Sequence, residues 1–310
     1  NISRLESISL CYGPGDFGGW RLVCKRALVF GSRVGFMQGR LSPLVDGKIQ
    51  AFPWDHWESE FAEASRLDLG LIEWTLDQHR LYDNPIMTTR GREQIRALAV
   101  ANSIEIASVT GDFFMQAPFF KARGEERTSR LHDLRSIVQA CSDLKIRYLV
   151  LPLVDGGRIS SAFEEDEVVS ELEALTPFLE QYGVSIVFES DYPPQELLQF
   201  MRRLPSGRFG INYDIGNSAA LGFDCVEEIG TYADCIWNVH VKDRIYAGTT
   251  VPLGEGDADL AGTIRCLERS GYQGNYILQT ARAVNEQHAE VLQRYRSMVM
   301  EWLETSQDGT

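Results

Sequence analysis

At 310 residues, with 44% hydrophobic and 24% charged side chains, the chain has the makeup of an ordinary globular protein. Its formal net charge of -14 at pH 7 argues against a nucleic-acid partner, because such partners are gripped through a basic footprint. No apolar run approaches the ~20 residues of a membrane-spanning helix, and Arg33 cuts short the basic-then-apolar stretch from Lys25, so neither a membrane anchor nor a secretory signal is expected.

Residues 1–33 fit no repeating unit and are read as a short N-terminal extension. From Val34 onward, short apolar runs alternate with segments of helical period. The predicted strands are Val34–Met37, Gly70–Thr75, Glu105–Val109, Arg147–Leu153, Ser185–Glu189, Phe209–Tyr213, Ile236–Val241 and Tyr276–Gln279. Leu131–Leu144 places apolar residues at 131, 134, 137, 138, 141 and 144, and Val168–Tyr182 at 168, 172, 175, 179 and 182. Leu292, Tyr295, Val299 and Trp302 repeat the pattern in a last helix. Pro177 is expected to kink or split its helix. Ser190-Asp191 and Asp257 or Asp259 are the expected helix caps, and Gly183 and Gly271 mark helix exits.

Strands of four to seven nearly continuous apolar residues suit a sheet covered on both faces. Eight strand–helix repeats imply an α/β fold, a (β/α)8 TIM barrel over residues 34–310 with right-handed crossovers. An open doubly wound sheet is the alternative. Its dinucleotide-binding version lacks the Gly-x-Gly-x-x-Gly turn after the first strand. The six cysteines show neither paired zinc spacing nor a compact disulfide framework, so reduced structural thiols in a cytoplasmic protein are the simpler reading.

Four polar residues stand at the ends of successive late strands: Glu189, Asp214, His240 and Gln279, at intervals of 25, 26 and 39 residues. In a parallel barrel all four gather at the rim that hosts active sites. Singly, each is more often a helix cap or rim salt bridge. As an ordered set they make a hard-cation site of two carboxylates, an imidazole and an amide oxygen. One divalent ion (Mn2+, Mg2+, Co2+ or Zn2+) held there polarises a carbonyl, and a carboxylate beside it can move a proton at the adjacent carbon. That chemistry suits ketose–aldose isomerisation or epimerisation.

The motifs Gly35-Phe-Met-Gln-Gly-Arg-Leu-Ser-Pro, Ile72-Glu-Trp-Thr, Tyr213-Asp-Ile-Gly-Asn, Val239-His-Val-Lys-Asp-Arg and Pro252-Leu-Gly-Glu-Gly-Asp carry a family resemblance. From about Val34 to its C-terminus the chain resembles the xylose-isomerase-like barrel superfamily of sugar-phosphate isomerases and epimerases. The resemblance implies a small-molecule sugar or sugar phosphate as substrate, a metal held by Glu189, Asp214 and His240, and a homodimer as one assembly. Gln279 stands where such enzymes place a second Glu. Its amide oxygen can ligate but cannot act as a base. A one-base isomerase working through Glu189 remains open, as does an epimerase with a different second acid.

Glu73, ending the second strand, resembles a substrate-hydroxyl or acid–base residue, with a rim salt bridge as the plainer reading. Asp112 is either a substrate contact or a turn residue. Arg40, Lys242, Arg244 and Arg282 are rim cations able to grip a phosphate or carboxylate, or to neutralise neighbouring acids. Gly254-Glu-Gly-Asp257 is read as a wall, because its acids would repel an anion. Trp54, Trp74, Phe113 and Phe114 are candidates for a sugar-stacking face or for packing. Other functions stay in view: a lyase dehydrating a keto-acid or keto-inositol, and a non-catalytic sugar-binding barrel, which Gln279 supports. An abasic-site endonuclease is disfavoured by the single rim histidine, Asn217 and the acidity.

Overall fold

The computed structural model describes residues 33–283 and 285–306. Apart from Arg33, the extension assigned to residues 1–33 lies outside them, as do Cys11 and Cys24. In chain order the elements are β1 (Val34–Met37), α1 (Ser59–Arg66), β2 (Leu71–Thr75), α2 (Thr89–Asn102), β3 (Glu105–Thr110), the short α3 (Phe113–Gln116), α4 (Gly124–Asp143), β4 (Tyr148–Leu153) and α5 (Ala162–Tyr182). There follow β5 (Ser185–Ser190), α6 (Pro194–Arg203), β6 (Phe209–Asp214), α7 (Ile215–Leu221), α8 (Cys225–Tyr232) and β7 (Ile236–Val241). A hairpin of β8 (Asp243–Arg244) and β9 (Thr250–Val251) precedes α9 (Leu260–Arg269), β10 (Asn275–Leu278) and α10 (His288–Thr305).

β1–β7 and β10 pair in parallel, each with its neighbour in sequence, and β10 closes on β1 to make an eight-stranded barrel. The predicted (β/α)8 architecture is therefore the one observed. Strand side chains alternate between two apolar environments. Val34, Phe36, Ile72 and Leu278 belong to the large core between sheet and helices, whereas Met37, Leu71, Ala107 and Ile277 form a separate small cluster. Gly35 belongs with the second set. A Cβ there would stand 2.5 Å from Leu71 Cβ and 3.0 Å from Ile277 Cδ1, so glycine lets the first strand close against its neighbours.

Two local expectations are corrected. Pro177 lies inside one unbroken helix, α5, and does not split it. Proline supplies no amide donor there, but Thr176 Oγ1 donates to the carbonyl of Leu172 at 2.9 Å in the same stretch. Ser190-Asp191 does not cap α6: Ser190 Oγ accepts from the Tyr192 amide at 3.1 Å and Asp191 pairs with Arg158 at 2.6 Å. The helix instead begins at Pro193-Pro194, where proline lacks the amide hydrogen that a cap would satisfy. Asp259 does cap α9, through the Gly262 amide at 2.9 Å. No helix among the described residues is long and apolar enough to cross a membrane.

Candidate active site

Parallel strands point their C-terminal ends to one face of the barrel, and there Glu189 (β5), Asp214 (β6) and His240 (β7) meet. One ligand atom from each lies within 4.8 Å of the others, and all three residues are buried. His240 Nδ1 is 3.2 Å from Glu189 Oε2 and 3.8 Å from Asp214 Oδ2. Asp214 serves twice. Its Oδ1 accepts from the Asn217 amide at 2.8 Å, capping α7, while Oδ2 faces the site. The β6–β7 register sets Asp214 opposite His240 and Asn212 opposite Asn238.

The far side of the imidazole is fixed from below. His240 Nε2 lies 2.7 Å from Glu73 Oε1, so Nε2–H donates to the carboxylate and Nδ1 faces the carboxylates of Glu189 and Asp214. Glu73 in turn accepts from Ser108 Oγ at 2.6 Å and Asn238 Nδ2 at 3.2 Å. It is wholly buried, and its carboxylate contacts are with His240, Ser108 and Asn238. Burial opposes a charge on His240, yet Glu73, Asp214 and Glu189 outweigh it and hold its pKa well above the usual imidazole value. Burial likewise opposes ionisation of Asp214, but the Lys242 ammonium and His240 prevail and bring its pKa to about 2.

Lys242 reaches three rim residues. Its Nζ donates to Asp214 Oδ2 at 3.1 Å, to Asn217 Oδ1 at 3.1 Å and to Gln279 Oε1 at 3.3 Å. Two of the four expected metal donors thus already surround a positive charge. Gln279 Nε2 donates to Gln50 Oε1 at 3.2 Å, and Gln50 Nε2 donates to Asp112 Oδ1 at 3.0 Å. Burial, with Asp77 and Glu189 nearby, lifts the Asp112 pKa to about 6.

Glu189, Lys242, Gln279 and Gln50 line a cavity of about 770 Å³, open to solvent, whose wall also includes Asp112, Asp155, Arg158, Asp191, Asn217 and Arg244. Arg244 donates to Asn217 Oδ1 at 2.8 Å and to the Gly248 carbonyl at 2.7 Å. Arg40 and Arg282 are placed elsewhere, which corrects the expectation that they grip an anion at the site. Arg40 donates to the carbonyls of Thr280 at 2.9 Å and Ile49 at 3.2 Å, and Arg282 to those of Gly39 and Ser42. Both guanidinium groups tie the β1 loop to the β10 loop and lie outside the cavity wall. The Gly254–Asp257 segment is not a wall either: its amides, with that of Ala258, wrap the Asp243 carboxylate at 2.8–3.2 Å. Trp74, Phe113 and Phe114 are core residues, and Trp54 packs on Phe52 under Arg80.

A model of the family described as "Xylose isomerase-like TIM barrel" matches residues 61–298. The chain belongs to that family. It is 24% identical over 254 residues to an L-ribulose-5-phosphate 3-epimerase of Salmonella heidelberg, covering 78% of this chain and 88% of the relative. Among solved structures, a xylose isomerase domain protein from Planctomyces limnophilus superposes with a TM-score of 0.70 at 18% identity, over 89% of this chain and 98% of the other. The IolI protein, solved with a bound zinc atom, gives a TM-score of 0.69 at 16% identity, over 88% and 99%.

Gln50, Ser108, Asn212 and Asn238 are site residues that the strand-end pattern missed. A signal existed for two of them. Asn212 and Asn238 each stand two residues before a member of the rim triad, hence on the same inward face, in strands that are otherwise mostly apolar.

Proposed function

We propose that this chain is a metal-dependent isomerase or epimerase of a keto-sugar or its phosphate. The observation that carries the reading is the convergence of Glu189, Asp214 and His240 to within 4.8 Å beside the cavity that Glu189 lines. The donor set fits a divalent cation. It supplies two carboxylates and a nitrogen oriented by a buried carboxylate, and it already encloses an ammonium. Gln279 adds a fourth, uncharged oxygen. When bound, the ion polarises the substrate carbonyl and stabilises the negative charge that forms on its oxygen.

The chain's own residues do the rest. Glu189 takes a proton from the hydroxyl-bearing carbon next to the carbonyl; the pair of that C–H bond becomes a C=C bond and the carbonyl π pair moves onto its oxygen. Return of the proton to the former carbonyl carbon, with the hydroxyl proton passing to the former carbonyl oxygen, gives the isomer. Asn217 and Asn212, which donate to the two oxygens of Glu189, aim its carboxylate. Epimerisation needs a proton donor on the opposite face, which Gln279 cannot be.

The wall favours a free polyhydroxy ketone over its phosphate ester. Asp112, Asp155, Asp191 and Glu189 line it, while the described cations there are engaged: Arg158 by Asp191, Lys242 by Asp214, and Arg244 by Asn217 and Gly248. A dehydratase has one support, the Lys242 ammonium, which can protonate a departing hydroxyl.

The test is metal-dependent hydrogen exchange from heavy water into ketoses and ketose phosphates, with products weighed. Exchange at unchanged mass supports isomerisation or epimerisation. Loss of one water points to the lyase. No exchange with any pentulose, hexulose or phosphate, in the presence of Mn2+, Co2+, Mg2+ or Zn2+, would sink the reading.

A further inference from the structure

An amide in place of a carboxylate raises a question of orientation, because its oxygen and its NH2 exchange places by a half-turn. The neighbours of Gln279 answer it. Lys242 has only donors, so the Gln279 atom 3.3 Å from its Nζ is the oxygen. The NH2 of Gln279 then faces Gln50 at 3.2 Å, and that contact forms only if Gln50 presents its own oxygen. The NH2 of Gln50 is left facing Asp112 Oδ1 at 3.0 Å, where an ionised carboxylate can only accept. Lys242–Gln279–Gln50–Asp112 is therefore a chain whose direction is set at both ends, by a group that cannot accept and a group that cannot donate. It crosses the barrel mouth from the residue after β10, through the loop after β1, to the residue pair after β3.

We infer that Gln50 and Asp112 are positioning residues that hold Gln279 oxygen-first toward the cation site, so that the amide is a fixed neutral donor there. The inference rests on the proposed function only in taking that cation to be a metal ion. The direction of the chain stands on its own. Turned over, Gln279 would set its NH2 against the ammonium and its oxygen against the oxygen of Gln50.

Gln279→Glu consequently does more than add a charge. A carboxylate at 279 has no donor for Gln50, so Gln50 must reverse, and its oxygen then meets the Asp112 carboxylate. Asp112→Asn removes that clash, because its NH2 can donate to a reversed Gln50. On its own Asp112→Asn still offers an oxygen to Gln50 but no longer dictates the direction at that end, which Lys242 alone then sets.

The experiment is a double-mutant cycle of Gln279→Glu and Asp112→Asn at pH 8, repeated in a Gln50→Leu background. Two quantities are read: Mn2+ affinity by calorimetry, and the melting temperature without metal. The expected result is a favourable coupling of about tenfold in affinity, the size found between groups in one hydrogen-bonded network, and a double variant that melts higher than the two single shifts predict. In the Gln50→Leu background both couplings vanish. Additive behaviour overturns the inference. So does coupling that survives Gln50→Leu, since it would be charge repulsion through space. If the unaltered protein binds no Mn2+ while the metal-free melting temperatures couple through Gln50, the metal reading falls and the orienting chain stands.

Discussion

A buried carboxylate that accepts from one ring nitrogen decides what the other can do. Glu73 Oε1 takes the Nε2–H of His240 at 2.7 Å and leaves Nδ1 toward Glu189 and Asp214. Glu73→Gln keeps the shape but weakens the acceptor and withdraws the charge that makes the imidazole basic. A roughly 10–100-fold loss of Mn2+ affinity is expected, measured by calorimetry on a variant whose melting shows it folded. Unchanged affinity would reduce Glu73 to packing. Glu189→Gln should instead remove the proposed base: exchange from heavy water falls by about 10²–10⁴-fold. The rim triad was legible because an apolar run that ends in a polar residue marks a strand's exit from the barrel. Such a run does not report depth. Glu189 and His240 are next to last in their strands and Asp214 is last, but β2 continues to Thr75, which leaves Glu73 a layer lower. Nor does it report partners. Arg40 and Arg282 stand near strand ends as foreseen, yet loop carbonyls too irregular to predict claim their donors.

Two short elements position the rim, and each hangs on a residue whose role is steric or electrostatic. α7 approaches the end of β7 so closely that a Cβ on Gly216 would lie 2.7 Å from Lys242 Cγ and 3.0 Å from its backbone. Gly216→Ala must push α7 and Lys242 apart, and with them the Asn217 contacts to Glu189 and Lys242. A cost of roughly 1–3 kcal/mol is expected in urea unfolding, as for other overpacked sites, together with weaker metal binding. The glycine of Tyr213-Asp-Ile-Gly-Asn, read from the sequence only as part of a family motif, thereby acquires a physical cause. The β8–β9 hairpin was not foreseen, because two-residue strands carry no periodicity. It is anchored by Asp243, fully buried, which accepts from Gly254, Gly256 and Ala258 at 2.8, 3.0 and 3.2 Å. Asp243→Ala leaves those amides without their acceptor, and about 3 kcal/mol of stability should go with it. Urea midpoints of the variant and of Asp243→Asn, which restores one acceptor oxygen, would separate the loss of hydrogen bonds from the loss of charge.

The barrel itself was readable across its whole length, since strands buried on both faces must be nearly continuous apolar runs, and helices one-sided by comparison. What that pattern cannot state is how strongly the site opposes the fold that carries it. Glu73, Glu189 and Asp214 are buried together around His240 and Lys242, and like charges held in a low-dielectric interior destabilise a protein unless a cation offsets them. A divalent ion that binds the folded chain and not the unfolded one should relieve this, by ~2.7 kcal/mol at a concentration one hundred times its dissociation constant. For a chain of this size that corresponds to a rise of roughly 5 °C in melting temperature. Addition of Mn2+, Co2+ or Zn2+ to chelator-treated protein should produce the rise, and renewed chelation should reverse it. His240→Ala, which removes the nitrogen donor and leaves Glu73 buried without its partner, should melt lower and no longer respond. A melting curve indifferent to every divalent ion would mean that Lys242 and the His240 imidazolium balance these carboxylates by themselves, and that the chemistry proposed for the rim has no electrophile.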